Sequence, residues 1–175
     1  MLDTLPQGDP RLLETPMAQR LLAANIPARL AFTAADGTPR VVPVSYWWNG
    51  TELVICGFAP SHKNRMLRAR PDAAITIDTN DNPPEVLLIR GRAEITESEG
   101  ILPEYLAAMR KGGEGVEEYL RTVTALAPRM ERIAIRPTWV ALMDFRTRFP
   151  SGAPDWMTGS VMPNSTETET IDKEQ

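Results

Sequence analysis

The sequence predicts a mainly β protein, an antiparallel barrel of six or seven strands flanked by short helices. Three observations point there. Two turn signals, Asp36-Gly37 and Asn49-Gly50, bracket one apolar run. Several runs alternate apolar and polar residues, most clearly at 86–96, where Leu87, Ile89, Ala93 and Ile95 share one face and Arg90, Arg92 and Glu94 the other. The helical stretches between these runs are short.

Taken in order, Asp9-Pro10 opens a short helical turn. Thr15-Pro16 then reads as N-cap and first residue of a helix whose Met17, Leu21 and Leu22 share a face, with Asn25 as its stop. A strand over 28–34 places Leu30 and Phe32 together. Asp36-Gly37 fits a two-residue type I′ turn, which needs positive φ at both central positions. A second strand covers 40–48, Asn49-Gly50 turns it, and a third covers 52–57. The segment 61–70 reads as a helix ended by Arg70-Pro71. Strands follow at 73–78 and 86–96, with the loop TNDNPP between them. Gly91 inside the second marks a bulge or a close backbone approach. Helices are expected at 100–109 and 116–126, separated by KGGEG, and closing strands at 132–136 and 138–145. We expect one barrel domain over 1–150 and a polar tail over 151–175. The tail ends STETETIDKEQ, and roughly its last dozen residues are too polar to offset the entropy of ordering.

Composition narrows the function classes. The chain has 175 residues, a formal net charge of -4, 42% hydrophobic residues and a single cysteine, Cys56. One cysteine allows no intrachain disulfide, and a cytoplasmic location is expected. No apolar run reaches membrane-spanning length and no signal-peptide pattern opens the chain, so no membrane partner is expected. The acidic balance argues against nucleic acid as a partner. One histidine cannot supply a zinc cluster, and no metal is expected. Motifs for nucleophilic hydrolysis, zinc hydrolysis, P-loop and dinucleotide binding are absent.

Within this acidic chain, residues 60–70, PSHKNRMLRAR, form a basic cluster. Ser61 can cap its own helix. Arg68 and Arg70 fall in the last turn, where positive charge complements the helix dipole. Lys63 has no such explanation, because a cation in the first turn opposes the dipole at a cost of roughly 0.3–1 kcal/mol. A bound anion reverses that sign. Backbone N–H groups, the Ser61 hydroxyl, His62 and Lys63 can then converge on one phosphate. His62 read alone is more often a surface group than a ligand. The run RVVPVSYWW places Val42, Val44, Tyr46 and Trp48 on one face and Val41, Pro43, Ser45 and Trp47 on the other. Pro43 lacks an N–H, so one side of this strand is locally unpaired and its backbone is open to a planar heterocycle. The bland reading is an ordinary edge strand, with Cys56 a small buried residue.

The order of hairpins, then PSHKNRMLRARPDAAI, then the strand ending RGRAEI, resembles the pyridoxamine 5′-phosphate oxidase-like family of FMN-binding split β-barrels, which includes reductases using the deazaflavin F420. The resemblance covers about residues 12 to 145. It implies a homodimer with flavin at the subunit interface. It also implies that Lys63 and His62 contact the cofactor phosphate, that Arg40, Val41, Val42, Pro43, Val44 and Ser45 lie along the ring, and that Cys56 and Gly57 line the site. With Ser61 from the helix start, these make up the expected cofactor site. The chain departs from the oxidase proper. It has His62 where an arginine is common, no substrate lysine near Ser45, Met66 where an asparagine is frequent, and no counterpart of the C-terminal signature in FRTRFPSGAPDW. Those departures argue against pyridoxamine phosphate oxidase activity itself.

The leading expectation is an FMN-dependent oxidoreductase moving a hydride to or from a small organic substrate, with the cofactor carrying the chemistry and no catalytic acid or base assigned. An F420-dependent reductase of the same fold is the alternative, since PxxKxRxLRxxP is close to the deazaflavin branch. Further alternatives are a non-enzymatic flavin or haem binder and, more weakly, a purely structural dimer.

Overall fold

The computed structural model describes residues 2–59, 61–113, 115–126 and 129–158. Short 3₁₀ turns at Leu2–Thr4 and Pro10–Glu14 precede helix α1 (Pro16–Ala23). The predicted cap is present: Thr15 Oγ1 accepts from Ala18 N at 3.3 Å and Pro16 opens the helix. Leu21 and Leu22 are buried, and Met17 packs against the same core.

Seven strands follow: β1 (Ala28–Thr33), β2 (Pro39–Val44), β3 (Trp47–Trp48), β4 (Leu53–Phe58), β5 (Asp72–Asp78), β6 (Val86–Glu99) and β7 (Arg129–Met143). They form one antiparallel sheet in the order β2-β1-β5-β6-β7-β4-β3, rolled around the core and not closed. Leu30, Ile55, Ile75, Leu87, Ile89, Ile133 and Val140 fill it. Helix α2 (His62–Ala69) leads from β4 to β5, and α3 (Pro103–Arg110) and α4 (Val116–Leu126) lie between β6 and β7. Around Tyr105, Leu120 and Met130 these two helices build a second, smaller cluster.

Four expectations need correction. Both turn signals mark hairpins, but the first is not the type I′ turn expected of it. In the first, φ is positive at Gly37 (83°) and not at Asp36. Gly37 N donates to Ala34 O (3.0 Å) and Ala34 N to Thr38 O (2.9 Å), which makes a three-residue loop with glycine at the left-handed position. The Asp36 carboxylate accepts from Thr38 N and Thr38 Oγ1, holding Asp36 in ordinary backbone space. In the second, the loop is Gly50–Thr51 between Asn49 and Glu52, with positive φ at Gly50 (95°). Asn49 Oδ1 accepts from Thr51 N and Glu52 N.

The run expected as one strand over 40–48 is two. β2 pairs only with β1 and β3 only with β4, so the chain changes partner at Ser45–Tyr46. Tyr46 causes the break: its ring is buried (2% exposed) and its hydroxyl donates to Leu21 O at 3.0 Å, pulling the chain toward α1. The predicted facing is correct, since Val42, Val44 and Trp48 pack on the core while Val41, Pro43 and Ser45 are exposed.

Conversely, the two expected closing strands are one, β7. Its register against β6 shifts where Arg90 faces Trp139 and Gly91 faces Pro137, which leaves Thr138 unopposed. A β-carbon on Gly91 would sit 2.3 Å from Arg136 O, so the close approach expected at this glycine is real. Finally, β6 runs on to Glu99 and α3 starts at Pro103, because Gly100 adopts φ 69° and Pro103 takes the first helical position.

A short helical turn, Asp155–Thr158, ends the described residues. The expected disordered end lies outside them. Among the described residues no helix is long and apolar enough to cross a membrane.

Candidate functional site

The start of α2 is built as its sequence implies. Ser61 is the N-cap, with φ −123°, and its Oγ accepts from Asn64 N at 3.3 Å. The first backbone bond of the helix runs from Arg65 N to Ser61 O (3.2 Å). The N–H groups of His62 and Lys63 therefore have no acceptor among the described residues. The His62 side chain is exposed.

Lys63 is half-buried and makes no hydrogen bond or ion pair with another described residue. Its Nζ lies 3.1 Å from where a β-carbon on Gly57 would stand, so the missing side chain at Gly57 leaves the space the ammonium occupies. Burial pushes the Lys63 amine below its ordinary value, and only partly does the nearby Glu131 carboxylate counter this.

Glu131, on β7 opposite Gly57 of β4, is 2% exposed. It accepts from Asn64 Nδ2, from Arg68 Nη1 at 2.5 Å and from the Ser61 N–H. Burial alone would raise its carboxyl. The bonds from Arg68 and Asn64, the Arg68 charge and the Ser61 N–H outweigh burial and hold it below the usual glutamate value. Asn64 is fully buried, and its Oδ1 has no hydrogen-bond partner among the described residues.

Neither arginine near the helix end is held by the dipole alone. Arg68 bonds Glu131 and reaches Glu97 at 3.4 Å, and Arg70 donates to Ala34 O (2.7 Å) and Ala35 O, tying α2 to the first hairpin.

Of the residues singled out in the sequence, the structure brings Gly57, Ser61 and Lys63 together, with His62 beside them. Cys56 adjoins Gly57 on β4 but packs toward the second cluster. Its thiol is pushed up to about 12 by burial, with help from the Glu104 charge, so it is no nucleophile near neutral pH. Arg40 stands at the far, turn end of β2. Its guanidinium bonds Asp36, Thr38 and Pro39 O. Val41, Val42, Pro43 and Val44 form the outer strand of the sheet, and Pro43 stands opposite Arg29. Ser45 sits where the two strands part.

The parting itself is informative. Continued past Tyr46, the β3–β4 register would set Ser45 against Cys56 and Val44 against Gly57, yet the ladder stops at Trp47. One edge of β2 and one edge of Cys56–Phe58 are left without ladder partners among the described residues. Each of these edges carries an exposed hydrophobic side chain, Val41 on β2 (62% exposed) and Phe58 on β4 (43%).

Sequence reasoning missed Glu131 and the roles of Asn64 and Arg68. An acidic residue inside the strand RMERIAIR is a visible oddity. No spacing rule connects it to a helix 67 residues earlier. Among the described residues no group of three or more His, Cys, Asp or Glu is placed to hold a metal ion.

The family model for pyridoxamine 5′-phosphate oxidase matches residues 15–144, most of the chain. The chain belongs to this family. The match spans β1 to β7 and includes α2 with its capped start. No curated protein shows significant similarity. Among solved structures, the chain is similar to an F420 reductase (25% identity, TM-score 0.50, covering 70% of this chain and 94% of that one). General stress protein 26 from Bacillus anthracis is 14% identical with TM-score 0.56, covering 77% and 95%. HutZ, the haem storage protein from Vibrio cholerae, is 16% identical with TM-score 0.55, covering 73% and 92%. At those identities the latter two share the fold. As a family member the chain has the split-barrel architecture, and the unclosed sheet described above accords with it.

Proposed function

We propose that the protein is an oxidoreductase that holds the phosphate of a flavin or deazaflavin cofactor at the start of α2 and transfers a hydride to or from a small organic substrate. The observation that carries this reading is Lys63. It is a half-buried ammonium without a partner among the described residues, beside two free N–H groups and the Ser61 hydroxyl. Desolvation is recovered when an anion binds there, and the helix dipole adds to the attraction.

These residues fit a phosphate-bearing cofactor. Lys63, the His62 and Lys63 N–H groups and the Ser61 hydroxyl would hold its phosphate. Gly57 leaves room for the ammonium, and Glu131 fixes the helix start through the Ser61 N–H. Val41, Pro43 and Ser45 offer a flat, mostly apolar edge to a ring, and Phe58 is exposed on β4. The bound cofactor would supply the hydride chemistry. The chain's part is to position it and to exclude water from one side.

FMN is the first candidate. F420 is favoured by one observation, the similarity to an F420 reductase at 25% identity. The exposed apolar residues Val41 and Phe58 are also suited to a second copy of the chain closing over the ring, as a homodimer would. The test is the absorption spectrum of the purified protein, followed by titration with FMN and F420. Saturable binding of either supports the reading, and failure of both to bind refutes it.

A further inference from the structure

A cavity lies between α1, β3 and the end of α3, beyond the Ser45–Tyr46 break. Gln19, Leu22 and Ala23 of α1, Trp47 and Trp48 of β3, and Lys111 just after α3 enclose about 350 Å³, a size suited to a small organic molecule. It shares no residue with the Lys63 site.

Lys111 is the unusual group here. Its Nζ donates to Leu22 O at 2.7 Å and stands 4.2 Å from the centroid of the Tyr46 ring and 5.7 Å from that of Trp47. The bond to Leu22 caps the end of α1 and accounts for one of three N–H groups. No carboxylate pairs with Lys111 among the described residues. Burial pushes its amine below the ordinary value. The aromatic faces recover part of that desolvation, since ring quadrupoles attract cations, but they accept no conventional hydrogen bond. The remaining N–H groups bond no other described residue, in a cavity lined by Trp47, Trp48, the aliphatic carbon of Leu22 and Ala23, and Gln19. Gln19 donates to Leu13 O at 2.6 Å through one N–H, and its amide oxygen has no partner among the described residues.

We propose that this cavity binds a small aromatic carboxylic acid, with its ring against Trp47 and Trp48 and its carboxylate on the Lys111 ammonium. The acid supplies the missing counter-charge, and the indoles supply a stacking surface. The site needs no cofactor, so its test is independent of the Lys63 reading.

Calorimetric titration of the full chain with 2-naphthoate and with the neutral 2-naphthamide tests this directly. The acid should bind about tenfold or more tightly than the amide, a difference of about 1.4 kcal/mol. Lys111→Met should abolish that preference and Lys111→Arg should keep it. Equal binding of acid and amide, binding of neither, or a preference that survives in a folded Lys111→Met protein overturns the proposal. If Lys111→Met fails to fold, the wild-type preference together with Lys111→Arg decides.

Discussion

Glu131 on β7 accepts hydrogen bonds from both Asn64 and Arg68 of α2, binding the first and last turns of that helix to one buried carboxylate. The helix start that carries Lys63 is thus positioned from the sheet and not only by its own cap. Glu131→Ala should destabilise the protein by about 2–3 kcal/mol, below the usual cost of breaking a buried pair because Arg68 remains partly solvated. Glu131→Gln should cost less, since it retains an acceptor for Asn64. Urea denaturation of the two variants checks the order, and equal losses would contradict it.

Acid should act through the same carboxylate and through Asp144. Asp144 accepts from the N–H groups of Arg146, Thr147 and Arg148 and from the Thr147 hydroxyl, and these bonds outweigh burial and lower it to about 2. Glu131 is also held below its ordinary 4.5. For a carboxyl lowered on folding, the stability it contributes is present above the unfolded value and is lost as pH falls through the folded one. Stability should therefore decline below about pH 4.5 and continue to fall toward pH 2. Asp144→Asn should flatten the lower part of that decline in a pH series of thermal melts.

Two glycines should separate function from folding. In Gly57→Ala the new β-carbon meets only the end of a flexible lysine, 3.1 Å away. Melting should change little, while cofactor affinity drops several-fold as Lys63 is displaced. In Gly91→Ala the contact is backbone, Arg136 O at 2.3 Å. That variant should lose about 1–3 kcal/mol or more. Similar melting losses in both would refute the distinction.

Much of this architecture is legible locally. The caps at Thr15 and Ser61, the hairpin positions and the close approach at Gly91 depend on residues adjacent in sequence or on the absence of a side chain. The type of the first turn was not legible, because Asp36 bonds its own neighbour and so avoids positive φ. The break between β2 and β3 depends on a bond from Tyr46 to Leu21, 25 residues away. Glu131 is separated from Asn64 by 67 residues. The proposed phosphate seat was half legible: Lys63 stood out because it opposed its own helix dipole, whereas the carboxylate that positions its helix left no signal in spacing.

The most direct measurement is the dissociation constant of the phosphate-bearing cofactor, FMN or F420, for the wild type and for Lys63→Ala, read by absorbance titration. Saturable binding to the wild type is expected, with at least about tenfold weaker binding to a folded Lys63→Ala variant, equivalent to about 1.4 kcal/mol. Unchanged affinity in the variant would contradict it.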